Sequence, residues 1–123
     1  MKFLLKILFF SLSFLSISAH AIESLNGFLV TAYDDRFRVL SPEKYKTPME
    51  VIIENKTLTR LIGKVVINNK VVGGYTSIES DKYLKVLVNI KKGDVLHFIP
   101  LSPAFQEVEL IVGNKIYEIP PKK

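Results

Sequence analysis

Apolar and polar residues alternate one by one along most of the chain after residue 21. In Arg36–Leu40 charged residues alternate with apolar ones, and Lys82–Ile90 places four apolar residues on one face. Apolar residues at every second position indicate strands with one buried face, whereas a helix repeats them every three to four positions. No segment shows a convincing helical repeat. The pattern therefore predicts an all-β protein.

The strands that this alternation predicts are short and are separated by proline, glycine or asparagine. We predict eight or nine of them: Gly27–Tyr33, Arg36–Leu40, Met49–Glu54, Leu61–Asn68, a segment around Val71-Val72, Lys82–Ile90, Val95–Pro100, Glu107–Val112 and Lys115–Ile119. Turns are predicted at Asp34-Asp35, Asn55-Lys56-Thr57, Asn68-Asn69, Lys91–Asp94 and Gly113-Asn114. The last of these is interpreted as a two-residue hairpin turn. Gly73-Gly74 either ends its strand or forms a bulge.

The number and spacing of these strands predict the fold class. Short strands that recur about every 8–12 residues are typical of antiparallel sandwiches. We therefore predict a single antiparallel β-sandwich of the immunoglobulin-like kind, with a small Greek-key β-barrel as the alternative.

The first 21 residues have the pattern of a secretory signal peptide. Lys2 and Lys6 precede the apolar run 7–17, and Ala19-His20-Ala21 supplies small residues before a cleavage point. The run is too short and serine-rich for a permanent span, which needs about 20 apolar residues. We predict cleavage after Ala21, one domain over residues 22–123, no transmembrane segment after cleavage, and a periplasmic or secreted location.

Composition and charge exclude several classes of protein. The chain has no cysteine, so it contains neither a disulfide framework nor a lipid-modified cysteine. An exported chain rich in lysine, isoleucine and asparagine but without cysteine suggests a bacterial envelope. The formal net charge is +5, and the charges are mixed without a basic stripe. We therefore expect no nucleic acid among the partners.

Few residues in the predicted mature chain could support catalysis or bind a metal. Residues 22–123 contain one histidine, His97, and no cysteine, so the ligand sets of copper and structural zinc sites cannot form. The pairs Glu50 with Glu54 and Glu107 with Glu109 each lie on one strand face, as solvent-facing residues of a strand do. We predict no enzymatic activity, no metal and no cofactor. A carboxylate-dependent hydrolase that uses such a pair stays as an alternative.

Two tyrosines are candidate contact residues. Tyr45 lies in the proline-bracketed loop Ser41–Pro48, and Tyr75 follows the double glycine. Tyrosine is favoured at protein interfaces because it is large and stiff and has one polar end. We therefore predict that both are exposed and available to a partner.

The loop Leu101–Gln106 is unusually apolar for a loop and is stiffened by Pro100 and Pro103. Its Phe105 either folds inward and plugs the open end of the sandwich, or stands out as an exposed anchor that docks a partner. Prolines reduce the entropy that such a loop loses on docking. The candidate binding residues of this loop are Leu101, Pro103, Phe105 and Gln106.

These features together predict a small exported, non-catalytic binding or adaptor protein of the bacterial envelope. We expect it to recognise another envelope or secreted protein through the loops at an end of the sandwich. The alternative from a different class is a secreted protease inhibitor that presents a proline-stiffened loop. That alternative requires Ser41–Pro48 and Leu101–Gln106 to lie at the same end.

Overall fold

A computed structural model describes residues 26–113 and 115–120 of the chain. These residues form nine strands in two sheets and contain no helix, which confirms the all-β prediction. The strands are β1 (Gly27–Ala32), β2 (Phe37–Leu40), β3 (Met49–Asn55), β4 (Leu61–Ile67), β5 (Lys70–Ile78), β6 (Tyr83–Val88), β7 (Leu96–Ser102), β8 (Val108–Leu110) and β9 (Ile116–Ile119). The two sheets are consistent with a β-sandwich.

The strands divide into a five-stranded sheet A and a four-stranded sheet B. Sheet A has the order β6-β3-β1-β2-β9, and sheet B has the order β5-β4-β7-β8. Their inner faces enclose one hydrophobic core, to which both sheets contribute. Its largest fully buried side chains are Phe28, Phe37, Met49 and Ile53 from sheet A, and Leu61, Leu96 and Phe98 from sheet B. A side chain of this size contributes about 1.5–3 kcal/mol when fully buried.

One strand pair is parallel, so the prediction of a wholly antiparallel sandwich is wrong at that pair. Strand β3 runs beside β1 in the same direction, with Phe28 opposite Val51. The chain reverses once between β1 and β2, and loop 41–48 then crosses the sheet beside the first residues of β1. The Lys46 ammonium donates to the Asn26 side-chain carbonyl (2.8 Å), which holds this loop against the start of β1. Strand β3 therefore enters on the far side of β1.

The hairpin between β4 and β5 forms as its asparagines predict. Asn68 and Asn69 have φ angles of 49° and 68°, in the left-handed region that asparagine tolerates. Further along β5, Gly73 and Gly74 both have a φ of 74° and interrupt the pairing with β4. The double glycine therefore forms a bulge and does not end the strand, which continues to Ile78.

The predicted hairpin at Gly113-Asn114 is wrong, because β8 lies in sheet B and β9 lies in sheet A. The connection between them crosses from one sheet to the other. Backbone hydrogen bonds tie it to loop 41–48: the Gly113 N–H donates to the Pro42 carbonyl and the Ser41 N–H donates to the Lys115 carbonyl (2.9 Å each). Asn114 itself lies outside the described residues.

The predicted signal peptide at residues 1–21 and its cleavage point lie outside the described residues. Over the part of the chain that the structure describes, no helix is long and apolar enough to cross a membrane.

Candidate functional site

The two proline-bracketed loops lie at opposite ends of the sandwich. Loop 101–106 packs against Phe37, the first residue of β2. Loop 41–48 begins where β2 ends, and it is tied to Asn26 in front of β1. The arrangement that the inhibitor hypothesis requires, with both loops at one end, is therefore not present.

Phe105 lies between the sheets and closes one end of the core. Its ring is half-buried and meets the Phe37 ring edge to face, with centroids 4.8 Å apart. The Gln106 side-chain amide donates to the Pro120 carbonyl, which fixes the loop to the end of β9. Leu101 and Pro103 of the same loop are exposed. Phe105 therefore packs against the core with part of its ring exposed to the depression, and the rest of the loop surface is formed by its neighbours.

The predicted tyrosines are exposed but lie away from this loop. Tyr45 belongs to loop 41–48 at the other end of the sandwich. Tyr75 lies on the outer face of sheet B, where the Lys64 ammonium is 6.0 Å from its ring centroid. The residues proposed from the sequence are thus distributed over three regions and do not form one site.

The end of the sandwich that Phe105 closes carries an open depression. We call this end the loop end and define it by the segments 33–36, 56–60, 79–82 and 102–107. The depression, counted together with the open solvent at its mouth, has a volume of about 290 Å³. Its apolar lining includes Phe37, Leu61, Pro103 and Phe105. Asp34 and Thr57 supply polar atoms to the same lining. Residues from both sheets therefore form one concave surface.

Leu58 is the residue of the loop end that the sequence analysis missed. Its exposed fraction is 85%, the largest among the big apolar residues of the part of the chain that the structure describes. Its backbone N–H donates to the Asp34 carboxylate at the depression (3.3 Å). Leu58 could have been found from the sequence, because it is a large apolar residue directly after the predicted turn Asn55-Lys56-Thr57. Like Phe105, an apolar residue in a loop is either buried or exposed as a contact residue.

The loop that carries Leu58 is held by the buried side chain of Asn55. The Asn55 amide donates to the carbonyls of Thr59 and Ile78 (2.8 Å each). Its carbonyl oxygen accepts from the N–H and the hydroxyl of Thr57, at 2.9 and 2.6 Å. Asn55-Lys56-Thr57 also fits the Asn-x-Thr pattern of a glycan acceptor. Because Asn55 is fully buried and both the nitrogen and the oxygen of its side-chain amide are hydrogen-bonded, the triplet serves as a turn and its amide is not accessible for a glycan.

The two arginines of the loop end, Arg36 and Arg60, are paired with acidic side chains. The Arg36 guanidinium donates to Glu118 (2.7 Å) and Asp35 (2.8 Å), and it lies 4.4 Å from the Tyr33 ring centroid. The hydrogen bonds that Arg36 donates to Glu118 and, to a smaller extent, to Asp35 raise the pKa of Arg36 above its ordinary value. Arg60 pairs in the same way with Glu79 (3.1 Å). A partner therefore meets a rim without a large excess of either charge.

The candidate catalytic residues lie on the outer faces of the sheets, away from the depression. His97 is half-buried on sheet B, where its Nδ1 contacts the Glu107 carboxylate, and Glu109 lies opposite it on β8. On sheet A, Glu50 and Glu54 lie near lysine ammonium groups, at 3.4 and 3.9 Å. None of these side chains lines the depression. Among residues 26–113 and 115–120, no three histidine, cysteine, aspartate or glutamate side chains are grouped to hold a metal ion.

Comparison of the chain with protein-family models, with curated proteins and with solved structures finds no match. A function must therefore be proposed from the loop end and from the rest of the surface.

Proposed function

We propose that the protein is a small exported, non-catalytic binding or adaptor protein that recognises another envelope or secreted protein through the loop end. The observation that carries this proposal is Leu58, which is 85% exposed on an ordered loop beside an apolar depression. Exposed apolar groups that border a concave surface are typical of protein interaction sites. Because Asn55 already holds the loop, docking costs little further conformational entropy.

The shape of the loop end favours a partner that inserts an apolar side chain. The depression is open to solvent and is lined largely by aromatic and aliphatic groups. Leu58, Leu101 and Pro103 add exposed apolar surface at the same end. Since Arg36 and Arg60 are paired within the protein, the binding energy has to come mainly from apolar contact.

The immunoglobulin-like assignment is part of the same proposal. Strands β3 and β6 are neighbours in sheet A, while β4, β7 and β8 are consecutive in sheet B. In an immunoglobulin domain, strands B and E lie in one sheet and strands C, F and G lie in the other. Strands β3 and β6 would correspond to B and E, and strands β4, β7 and β8 to C, F and G. The parallel pairing of β1 with β3 departs from that pattern. Domains of this class commonly bind through loops at one end, which agrees with the position of Leu58.

Export rests on residues 1–21, whose basic start, apolar run and small residues before the cleavage point have the order of a signal peptide. We propose a periplasmic or secreted location on that basis. Fractionation of cells that express the full chain, with amino-terminal sequencing of the mature protein, tests it. An uncleaved protein in the cytoplasm would contradict the proposal.

The binding proposal is tested by photo-crosslinking in the cells that make the protein. A photoreactive amino acid at position 101 and one at position 58 should trap the same protein, whereas position 45 at the opposite end should not. In the position 101 protein, Leu58→Ser should reduce that adduct by at least about tenfold, because a central apolar contact is lost. Ile116→Ser, which also alters an exposed apolar residue, is the matched control.

Thermal melting of both serine variants must accompany the crosslinking. Leu58 is almost fully exposed, so its replacement should leave the midpoint within about 2 °C of the wild type. An adduct that persists in Leu58→Ser, or that forms equally from position 45, would contradict binding through the loop end.

A further inference from the structure

Three of the four sheet edges carry features that hinder the addition of another strand. Strand β5 is interrupted by the bulge at Gly73-Gly74. Strand β8 has three residues, and the Tyr117 hydroxyl donates to the Glu109 carbonyl (2.6 Å) and accepts from the Ile111 N–H (3.1 Å). Strand β9 has four residues and is followed by Pro120. Bulges, short strands and prolines are the usual means by which proteins protect such edges.

Strand β6 has none of these features. Its six residues pair with β3 without a register shift, from Glu54 opposite Tyr83 to Met49 opposite Val88. Its other side forms an outer edge of sheet A. The sequence Tyr83–Val88 contains neither proline nor glycine. An edge of this kind presents a regular row of backbone donors and acceptors.

The register identifies which backbone groups are free. The Asn55 N–H donates to the Lys82 carbonyl (2.9 Å), so Lys82 faces β3. Bonding alternates along an antiparallel pair, so every second residue after Lys82 also faces β3. The N–H and C=O groups of Tyr83, Lys85 and Leu87 therefore point away from the sheet. No backbone partner for these groups occurs among the residues that the structure describes.

The side chains along β6 also leave apolar surface uncovered. Tyr83 and Leu87 are 67% and 58% exposed on the outer face, on either side of Lys85. Leu84 belongs to the inner face but is 37% exposed, and Val86 beside it is half-buried. Gly73 of the bulged strand β5 lies across from Val86, and because it has no side chain it leaves this part of β6 uncovered. The side chains of an added strand would cover Leu84 and Val86 and so extend the hydrophobic core.

The charge of this edge favours one kind of occupant. The segment 82–92 contains four lysines and no acidic residue, and one of these lysines, Lys85, lies 3.4 Å from the Glu50 carboxylate of β3. Pairing of β6 with a second copy of the chain would bring two such segments together, and like charges on neighbouring strands repel. An acidic strand would instead be attracted, and the attraction would weaken as salt is added.

We propose that β6 is a docking edge for an extended acidic segment of another protein, in which apolar residues alternate with aspartate or glutamate. The segment would bond to the free backbone groups of Tyr83, Lys85 and Leu87, as strands added to a sheet edge do. Its apolar residues would cover Leu84 and Val86, and its acidic residues would face outward beside Lys85. This surface adjoins the loop end at Lys82 but includes neither Leu58 nor the depression, and the proposal does not depend on the partner of Leu58.

Titration with a synthetic peptide tests this proposal. The probe is a nine-residue peptide in which valine and glutamate alternate, and the control peptide has lysine in place of each glutamate. In NMR spectra of the isotope-labelled protein, the glutamate peptide should bind saturably and shift the amide signals of β6 and β3. The lysine peptide should bind at least about tenfold more weakly, and added salt should weaken the glutamate peptide, because charge attraction contributes to binding.

Two variants of one residue separate the backbone contribution from the charge contribution. Lys85→Pro removes an outward N–H and leaves the bonds to β3 intact, so peptide affinity should fall at least about tenfold. Lys85→Glu should weaken binding because the new carboxylate repels the glutamates of the peptide. This variant still tests the proposal if the Lys85→Pro protein does not fold. Lys44→Glu, at an exposed position in loop 41–48, makes the same charge change away from the edge and should have little effect.

Several outcomes would overturn the proposal. One is the absence of saturable binding, and another is peptide affinity that neither Lys85 variant changes. Shifts confined to the loop end would place the peptide elsewhere. A dimer detected by light scattering that Lys85→Pro dissociates would identify a second copy of the chain as the occupant. Leu58→Ser should leave peptide binding unchanged, so failure of the loop-end proposal would be distinguishable from failure of this one.

Discussion

At the scale of single residues, Asn55 shows how much of the loop end depends on one buried side chain. From the sequence, the triplet that begins at Asn55 predicts a turn, and the structure has a turn there. The sequence could not show that the amide is buried, because the Ile78 carbonyl that accepts from it lies 23 residues further along. Burial makes each of these hydrogen bonds costly to lose, since water cannot replace the missing partner.

Replacement of this side chain should therefore destabilise the fold. We expect Asn55→Ala to lower the free energy of unfolding by about 3 kcal/mol, because the Thr57 N–H and the Ile78 carbonyl lose their partner in a buried environment. Urea denaturation followed by circular dichroism measures this. Asn26→Ala is the control, since that side chain is exposed and its loss should cost less than about 1 kcal/mol. Equal effects of the two variants would contradict this account.

Phe105 allows a second test at the same scale. Its packing against Phe37 indicates that Phe105→Ala should cost about 2–3 kcal/mol of unfolding free energy, at the lower end of the range for aromatic core residues because the ring is half-buried. Leu101→Ala in the same loop should cost less than about 1 kcal/mol, since Leu101 is exposed. A Phe105→Ala protein with an unchanged melting midpoint would mean that the ring is an exposed anchor.

At the scale of elements, β4 shows a constraint that alternation does not reveal. From the sequence, Gly63 argues against a helix in the segment that forms β4. The alternation of apolar and polar residues does not explain why this strand needs a glycine. In the fold, a Cβ at this position would lie 2.5 Å from Phe98 Cζ and 2.8 Å from the Ile99 carbonyl oxygen. The neighbouring strand β7 therefore approaches β4 where only glycine leaves room.

A methyl group at this position should disturb the packing of the two strands. We expect Gly63→Ala to lower the unfolding free energy by about 2 kcal/mol, because Phe98 and the β7 backbone must move apart. Lys64→Ala, the next residue and on the outer face of the sheet, should change it by less than about 1 kcal/mol. Denaturant titration of both variants measures the difference. A neutral Gly63→Ala would show that β7 can shift at little cost.

At the scale of the whole molecule, the side chain of Tyr117 links the two sheets on the β8–β9 side. Tyr117 of β9 bonds to two backbone groups of the β8 segment in the other sheet. Burial raises the pKa of Tyr117 above its ordinary value of 10.0. The folded state thus favours the neutral phenol, which is also the form that donates to the Glu109 carbonyl. This contribution to stability is present below pH 10 and is lost as the pH rises through the folded pKa.

Tyr117→Phe should make this link measurable. At pH 7 we expect the variant to lose about 1 kcal/mol of unfolding free energy, the usual net value of a hydrogen bond. Above about pH 10 the wild type should lose stability faster than the variant, so that the difference between them shrinks. Tyr83→Phe is the control for general effects of tyrosine removal, because Tyr83 is exposed on β6. A difference that stays constant up to pH 11.5 would contradict the assignment.

The alternation of residues by itself determined where most strands lie and which of their side chains face the core, because the direction of a side chain is a local property of the strand. Arg36–Leu40 and Met49–Glu54 correspond closely to β2 and β3 for this reason. The same local logic identified the left-handed turn at Asn68-Asn69 and the double glycine of β5 as special points.

Only the tertiary structure decided how those strands combine. It placed β8 and β9 in different sheets, set β3 parallel to β1, and left β6 at an edge of sheet A among the strands that the structure describes. It also turned Phe105 inward while Leu58, which the sequence analysis overlooked, stands in solvent. Each of these outcomes depends on contacts between segments far apart in the chain. A pattern of period two carries no information about them, since it specifies a buried face but not what covers it.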